Sequence, residues 1–123
     1  MSLTLFGYKK CSTCRKAEKA LTESNVDFEY IDITEQPPSK TQLKRLITLS
    51  GLPLNKWFNT SGLVYRELNL KDKLASMSEA EMIELLAGNG KLIKRPVVTG
   101  KDTQGEDNVT VGFKADLFET TWS

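Results

Sequence analysis

The chain has only two cysteines, Cys11 and Cys14, and they form a C-x-x-C. They lie at the boundary between two patterns. Residues 3–8 form a short, nearly continuous apolar run, which is typical of a buried parallel strand. From Ser12 onward the apolar residues recur at helical spacing, which predicts an amphipathic helix. Cys11 is therefore expected in the turn from strand to helix, and Cys14 in the first helical turn.

This placement favours a redox pair. Residues three apart in a helix are about 5–6 Å apart, within the Cα separation of roughly 4.4–6.8 Å that a disulfide tolerates. The unpaired N–H groups and positive end of the helix would face Cys11 and lower the pKa of its thiol. Nearby positive charge comes from Lys9, Lys10, Arg15 and Lys16. We predict that Cys11 is the nucleophile and Cys14 the resolving thiol.

Two other interpretations of the cysteine pair remain open. The cysteines are also compatible with small buried residues at the start of a helix. A zinc site needs two further Cys or His ligands, which one chain does not contain. Only a homodimer would bring four cysteines together across its interface.

Composition excludes several kinds of function. The chain has no histidine, which removes Ser-His-Asp hydrolysis, Cys-His proteolysis and His-ligated metal sites. Its 17 basic and 16 acidic residues give a net charge of +1, so we expect no direct binding of nucleic acid and no capture by a membrane surface. No apolar run approaches the roughly 20 residues of a membrane span, and we recognise no signal peptide. A cytoplasmic location is expected.

The middle of the chain predicts a second strand followed by helices. Residues 26–33 alternate and are rich in strand-forming types, which gives a β-α-β unit with parallel strands. Capping boxes at Ser39 with Gln42 and at Ser78 with Glu81 each predict the start of a helix. We predict that the first of these helices ends at Gly51 and the second at Gly88. A weaker helix is predicted between them, at residues 65–74.

Beyond residue 90 the pattern is again that of strands. Residues 97–98 and 109–111 predict a hairpin whose long, mobile loop covers residues 100–108. Residues 114–122 predict a closing helix with three inward side chains, Leu117, Phe118 and Trp122. The order β-α-β, helices, β-β-α predicts an α/β thioredoxin-like fold with a helical insertion. We expect a single domain over residues 1–123, with thioredoxin-like parts at about 1–34 and 91–123 and the insertion at about 35–90.

Four segments together resemble the arsenate reductase (ArsC) family. They are residues 7–17 (GYKKCSTCRKA), 65–70 (YRELNL), 93–98 (IKRPVV) and 111–113 (VGF). The C-x-x-C-R-K-A form is similar to the Spx-like branch and its uncharacterised Gram-positive relatives, and the resemblance runs from about residue 3 to residue 121. It implies a thioredoxin-like fold with a helical insertion and a cis-proline at Pro96, near the site.

One implication of the resemblance is arsenate reduction. In such enzymes a cysteine matching Cys11 attacks arsenate while three arginines hold the oxyanion. Only Arg95 matches one of them, since the resemblance puts another position near Asn59 and the last one on Phe113. Arg66 and Lys114 are candidate substitutes. Because an oxyanion needs several guanidinium donors, we expect inefficient arsenate reduction.

The other implication is transcriptional regulation. Spx-like members use the C-x-x-C as a redox switch and bind the C-terminal domain of the RNA polymerase α subunit. Gly51 falls near a glycine used in that contact, although a helix stop explains it equally well, and Arg95 falls near an arginine that senses the switch. The enzyme and the regulator both remain open.

Both interpretations imply the same site and similar partners. Cys11, Cys14 and Arg95 would carry the chemistry, with Pro96 as a structural neighbour. A thiol reductant (thioredoxin, glutaredoxin or a low-molecular-weight thiol) would re-reduce the pair. We expect no cofactor or metal, and a monomer.

Overall fold

The computed structural model describes residues 3–123. In chain order, its elements are β1 (Leu3–Gly7), α1 (Ser12–Glu23), β2 (Phe28–Asp32), α2 (Lys40–Ser50), α3 (Leu63–Glu67), α4 (Leu70–Lys73), α5 (Glu79–Gly88), β3 (Val97–Lys101), β4 (Asp107–Val111) and α6 (Ala115–Trp122). Short 3₁₀ turns cover Leu54–Trp57, Leu74–Ser76 and Gly90–Leu92. The chain divides into two compact units: the residues up to Asp32 with Arg95–Ser123, and Ile33–Lys94.

The first unit is built on a four-stranded sheet with the strand order β2-β1-β3-β4. Strand β1 pairs in parallel with β2, where Leu5 lies opposite Tyr30, and antiparallel with β3. Strands β3 and β4 form an antiparallel hairpin. The mixed α/β class, the parallel β-α-β unit and the later hairpin with its closing helix are as predicted.

The core of this unit lies between the sheet and two helices. Its buried members are Leu3, Leu5, Ala17, Leu21, Val98, Phe118 and Trp122. The Trp122 indole Nε1–H donates a hydrogen bond of 3.0 Å to the Thr110 hydroxyl, and Thr110 is itself buried. This hydrogen bond joins α6 to β4.

The prediction for the face of α6 was partly wrong. Phe118 and Trp122 are buried, but Leu117 is 45% exposed. Residues four apart share one face of a helix, whereas adjacent residues point about 100° apart. The short α6 therefore buries one narrow stripe, and Leu117 lies outside it.

The predicted hairpin loop was too long. Gly100 pairs with Asn108 within the ladder, so the strands continue into the segment predicted as loop. The Asp102 carboxylate accepts hydrogen bonds from the backbone N–H groups of Gln104 and Glu106 and from the Asn108 side-chain amide, over 2.9–3.1 Å. One aspartate thus organises a short turn, a common use of this residue type.

The second unit contains the predicted insertion helices. Ser39 caps α2 by accepting from the Gln42 backbone N–H at 3.2 Å, and Gly51 ends that helix at φ 67°. The capping box of Ser78 and Glu81 is formed in both directions. The start and end of α2 and the start of α5 are confirmed.

One helix in this unit differs from the sequence prediction. The weak helix predicted at 65–74 begins at Leu63 and is split into α3 and α4 by Asn69, whose φ of 53° is left-handed. Helix α5 ends at Gly88, as predicted, and Asn89 is its C-cap residue. The Asn89 side chain accepts from the Lys91 N–H at 2.9 Å and starts a 3₁₀ turn, so the chain does not continue as an α-helix beyond the glycine.

Within residues 3–123, no helix combines the length and the apolar character needed to cross a membrane.

Candidate redox site

Cys11 is the N-cap residue of α1, in extended conformation at φ −85° and ψ 118°. Its backbone N–H donates to the Tyr8 carbonyl at 2.9 Å, and its carbonyl accepts from the Arg15 N–H at 3.1 Å. The side chain is half-buried. These bonds fix the thiol at the positive end of a twelve-residue helix, where unpaired N–H groups favour an anion.

Cys14 lies one turn into α1 and is fully buried. It shares the buried face of the helix with Ala17 and Leu21. Both cysteines are free thiols, so the disulfide bond expected from the C-x-x-C is not present in this structure. The two thiols differ in access, since a reagent in solvent reaches Cys11 first.

The surroundings of Cys11 favour its thiolate. Partial burial raises the pKa of this thiol, but stabilising contacts outweigh that effect and leave the pKa lowered. They come from the backbone N–H and thiol of Cys14, the charge of Arg95 and the backbone N–H of Thr13. Hydrogen bonds to a charged form favour that form.

Cys14 has the opposite tendency. Burial, with the hydrogen bond and negative charge of Cys11, raises the pKa of the Cys14 thiol to about 12. A Tyr8 backbone hydrogen bond and Arg95 oppose it only in part. The surroundings thus favour the thiolate at Cys11 and the protonated thiol at Cys14.

Arg95 lies close enough to both thiols for its positive charge to lower the pKa of each. Its guanidinium carbon is 5.2 Å from the centre of the Tyr8 ring, a cation–π distance. The Arg95–Pro96 peptide bond is cis, as the family resemblance implied. Pro96 is buried directly before β3, and its carbonyl accepts from the Gly112 N–H at 2.8 Å.

The other family positions do not form a set of anion-binding arginines. Phe113 packs edge-to-face on Phe118, with ring centres 4.8 Å apart. Arg66, in the second unit, donates to the Ser61 carbonyl at 3.3 Å. Lys114 is exposed at the N-cap of α6. The described residues 3–123 contain no group of three or more Cys, His, Asp or Glu side chains placed to hold a metal ion.

Two residues beside the cysteines were missed by the sequence analysis, Gly7 and Tyr30. Tyr30 comes 16 positions after Cys14, and its proximity depends on the register of β2 against β1. Lys9 was expected to assist Cys11, but its ammonium lies 4.1 Å from the centre of the Tyr30 ring and 3.4 Å from a Glu18 carboxylate oxygen. No local pattern in the sequence signals these contacts.

The chain is similar to known proteins over nearly its whole length. The chain is 58% identical to the uncharacterized protein YusI of Bacillus subtilis over the full length of both. It is 26% identical to the global transcriptional regulator Spx of Streptococcus pyogenes, over 93% of this chain and 80% of that protein. The crystal structure of a possible arsenate reductase from Streptococcus mutans is 44% identical, covers 91% of each chain and has a TM-score of 0.81.

The structural similarity confirms the thioredoxin-like fold, and the relatives include both a regulator and a possible reductase. The profile of the ArsC family matches residues 6–121, almost the entire chain, and the chain therefore belongs to the ArsC family.

Proposed function

We propose that this protein is a thiol–disulfide redox protein in which Cys11 is the nucleophile, Cys14 the resolving thiol and Arg95 the cation that stabilises the Cys11 thiolate. The observation that carries the proposal is the contrast between the two thiols. Cys11 is half-buried with a lowered pKa, whereas Cys14 is fully buried with a raised pKa. This division of properties suits a reactive and a resolving cysteine.

The proposed cycle has two exchange steps. The Cys11 thiolate attacks a sulfur of an oxidised substrate and forms a mixed disulfide, and the substrate's leaving thiolate takes the electron pair. Cys14 then attacks Cys11, which releases the reduced substrate and forms the Cys11–Cys14 disulfide. A cellular thiol (thioredoxin, glutaredoxin or a low-molecular-weight thiol) reduces that disulfide again. In this proposal the protein acts as a monomer in the cytoplasm and needs no cofactor.

Alkylation of the reduced protein tests the roles of the thiols. Below pH 7, iodoacetamide should modify Cys11 at least about tenfold faster than Cys14, because only the thiolate reacts. Peptide mass spectrometry over a time course gives both rates in one sample. Equal rates at the two cysteines would contradict the assignment.

Arsenate is expected to be a poor substrate. By resemblance to the arsenate-reducing family members, one missing arginine position falls near Asn59 and another on Phe113, whose ring packs against Phe118. Each missing charge-assisted hydrogen bond costs about 1.5–3 kcal/mol. Thiol-coupled arsenate turnover should therefore stay near background. Robust turnover would show that Arg66, Lys114 or another group replaces the missing arginines.

A second candidate function is a redox-switched regulator that binds the RNA polymerase α C-terminal domain. Similarity to Spx favours it, as does the surface around Gly51. Gly51 is exposed and ends α2 in a left-handed conformation. It borders a groove of about 650 Å³ whose apolar lining includes Ile47, Leu52 and Ile83.

Binding of the α C-terminal domain by reduced protein, oxidised protein and a Cys11→Ser/Cys14→Ser variant separates the candidates. Micromolar or tighter binding that differs between the reduced and oxidised forms, with the double variant insensitive to oxidant, supports the regulator. Absence of binding in all three leaves the oxidoreductase with an unidentified small substrate.

A further inference from the structure

The Tyr30 hydroxyl and Cys14 both lie close to the place that a side chain at position 7 would occupy, and Gly7 leaves that place to them. A β-carbon added to Gly7 would be 2.9 Å from the Tyr30 hydroxyl oxygen and 3.3 Å from the Cys14 Cβ. It would also lie 2.9 Å from a Leu5 methyl carbon. The missing side chain at Gly7 is what allows the phenol and Cys14 to approach each other.

Neighbouring side chains hold the Tyr30 ring in this place. The Lys9 ammonium covers one face of the ring at 4.1 Å, and Glu18 on α1 pairs with Lys9 at 3.4 Å. The residue opposite Tyr30 in the parallel ladder is the buried Leu5. The ring is thus constrained by β1, by the turn after it and by α1.

The charges around Tyr30 favour its neutral, hydrogen-bearing form. Burial, together with the negative charges of Cys14, Glu18, Asp32 and Cys11, raises the pKa of Tyr30 to about 12. Lys9 is the cation that faces the ring. A negative Cys14 and a protonated Tyr30 stabilise each other, because the interaction of two titrating sites is reciprocal.

We propose that Tyr30 is a positioning residue for the resolving step: its hydroxyl, admitted by Gly7, donates a hydrogen bond to Cys14 sulfur as that sulfur becomes negative. This inference rests on the proposed redox function. Cys14 gives its proton to water, and its sulfur attacks Cys11 Sγ of a mixed disulfide. The Cys11–substrate bond breaks, and the substrate thiolate leaves with the electron pair. Tyr30 keeps its proton throughout.

An aromatic disulfide, 5,5′-dithiobis(2-nitrobenzoate), separates the two exchange steps. Attack by Cys11 releases one thionitrobenzoate, and resolution by Cys14 releases the second, so stopped-flow absorbance records two phases. Tyr30→Phe should slow the second phase about tenfold, the size expected for loss of a hydrogen bond to a charged group. Its pH dependence should move to higher pH, while the first phase stays within about twofold.

Two further variants make the test specific. Tyr65→Phe, the same substitution in the second unit, should leave both phases unchanged. Gly7→Ala should slow the second phase as Tyr30→Phe does. The double variant should be no slower than Tyr30→Phe alone, because the two changes remove the same contact.

The outcomes distinguish this inference from the proposed function. Equal second phases in Tyr30→Phe and the unmodified protein would overturn the role of Tyr30 and leave the redox function standing. Equal slowing of both phases would indicate a general structural effect and would also overturn it. If the unmodified protein releases no second thionitrobenzoate, Cys14 does not resolve, and both proposals fail.

Discussion

At the scale of single residues, the site depends on how two identical side chains are placed on one helix. Cys11 lies at the cap, where backbone N–H groups and Arg95 favour its anion, and Cys14 lies on the buried face, where desolvation disfavours one. Their separation of three residues puts both near the first turn of α1 while giving them different access to solvent. The chemistry therefore depends on environment rather than on residue type.

The role of Arg95 is tested by its removal. Arg95→Ala should raise the pKa of Cys11 and slow its alkylation near pH 6.5 by roughly threefold or more, since a nearby cation favours the thiolate. The alkylation rate of Arg95→Lys should lie between those of the unmodified protein and Arg95→Ala, because lysine keeps the charge but lacks the planar guanidinium that stacks on Tyr8. Lys19→Ala, which removes an exposed cation further along α1 that pairs with Glu23, is the control. An unchanged pH–rate profile in Arg95→Ala would remove Arg95 from the site.

At the scale of elements, the last helix is attached to the sheet by both packing and one polar bond. Phe118 and Trp122 are buried in the core of the first unit, and the Trp122 indole N–H is satisfied by the Thr110 hydroxyl on β4. A buried donor without a partner is costly. This bond explains why a threonine is buried on β4.

Thr110→Val should therefore destabilise the protein by about 1–3 kcal/mol, the cost of an unsatisfied buried donor. The substitution conserves shape, so the loss reports the hydrogen bond rather than a cavity. Urea unfolding followed by tryptophan fluorescence measures it. Thr120→Val, at an exposed position of α6, is the matched control and should change the free energy of unfolding by no more than about 0.5 kcal/mol. Equal effects of the two substitutions would show that the hydrogen bond is unimportant.

At the scale of the whole molecule, the shifted pKa values make the free energy of unfolding depend on pH. The pKa of Cys14 is raised from 9.0 to about 12, and that of Tyr30 from 10.0 to about 12. Above these ordinary values the unfolded chain loses protons that the folded chain keeps. The stability present below pH 9 is then lost as the pH rises toward 12. Cys11 has the opposite effect at lower pH. Because its pKa is lowered in the folded protein, the free energy of unfolding increases as the pH rises and the folded thiol ionises.

The reduced protein should thus lose stability between pH 9 and 11, by at most about 1.4 kcal/mol per pH unit for each such group. Cys14→Ala removes one of these groups and should make the decline shallower. Urea unfolding midpoints at pH 8.5 and 10.5 under reducing conditions measure the slope. Thr22→Val changes an exposed position on α1 without adding or removing a titratable group, so its slope should equal that of the unmodified protein. Identical slopes in Cys14→Ala and the unmodified protein would contradict the expectation.

Strand β1, helix α1, the capping boxes and the buried stripe of Phe118 and Trp122 were predictable from the sequence. The spacing of apolar residues and helix capping both depend on residues that are close together in the chain. The same local rules were wrong at Asn69 and in the loop after β3, where the conformation of single residues decides between competing turns. Family resemblance, not periodicity, pointed to Arg95 and to the cis peptide before Pro96. The organisation of the chain as one domain with a helical insertion stays a prediction.

By itself the sequence determined the order of elements and the position of Cys11 at a helix start, because both follow from contacts between residues close in the chain. Only the tertiary structure decided which side chains surround the thiols. The pairing of β2 with β1 brings Tyr30 beside Cys14, and the return of the chain at β3 brings Arg95 to Cys11. Such contacts depend on strand register and on burial. Burial sets the cost of a charge, so the difference between the two cysteines becomes visible only once the chain is folded.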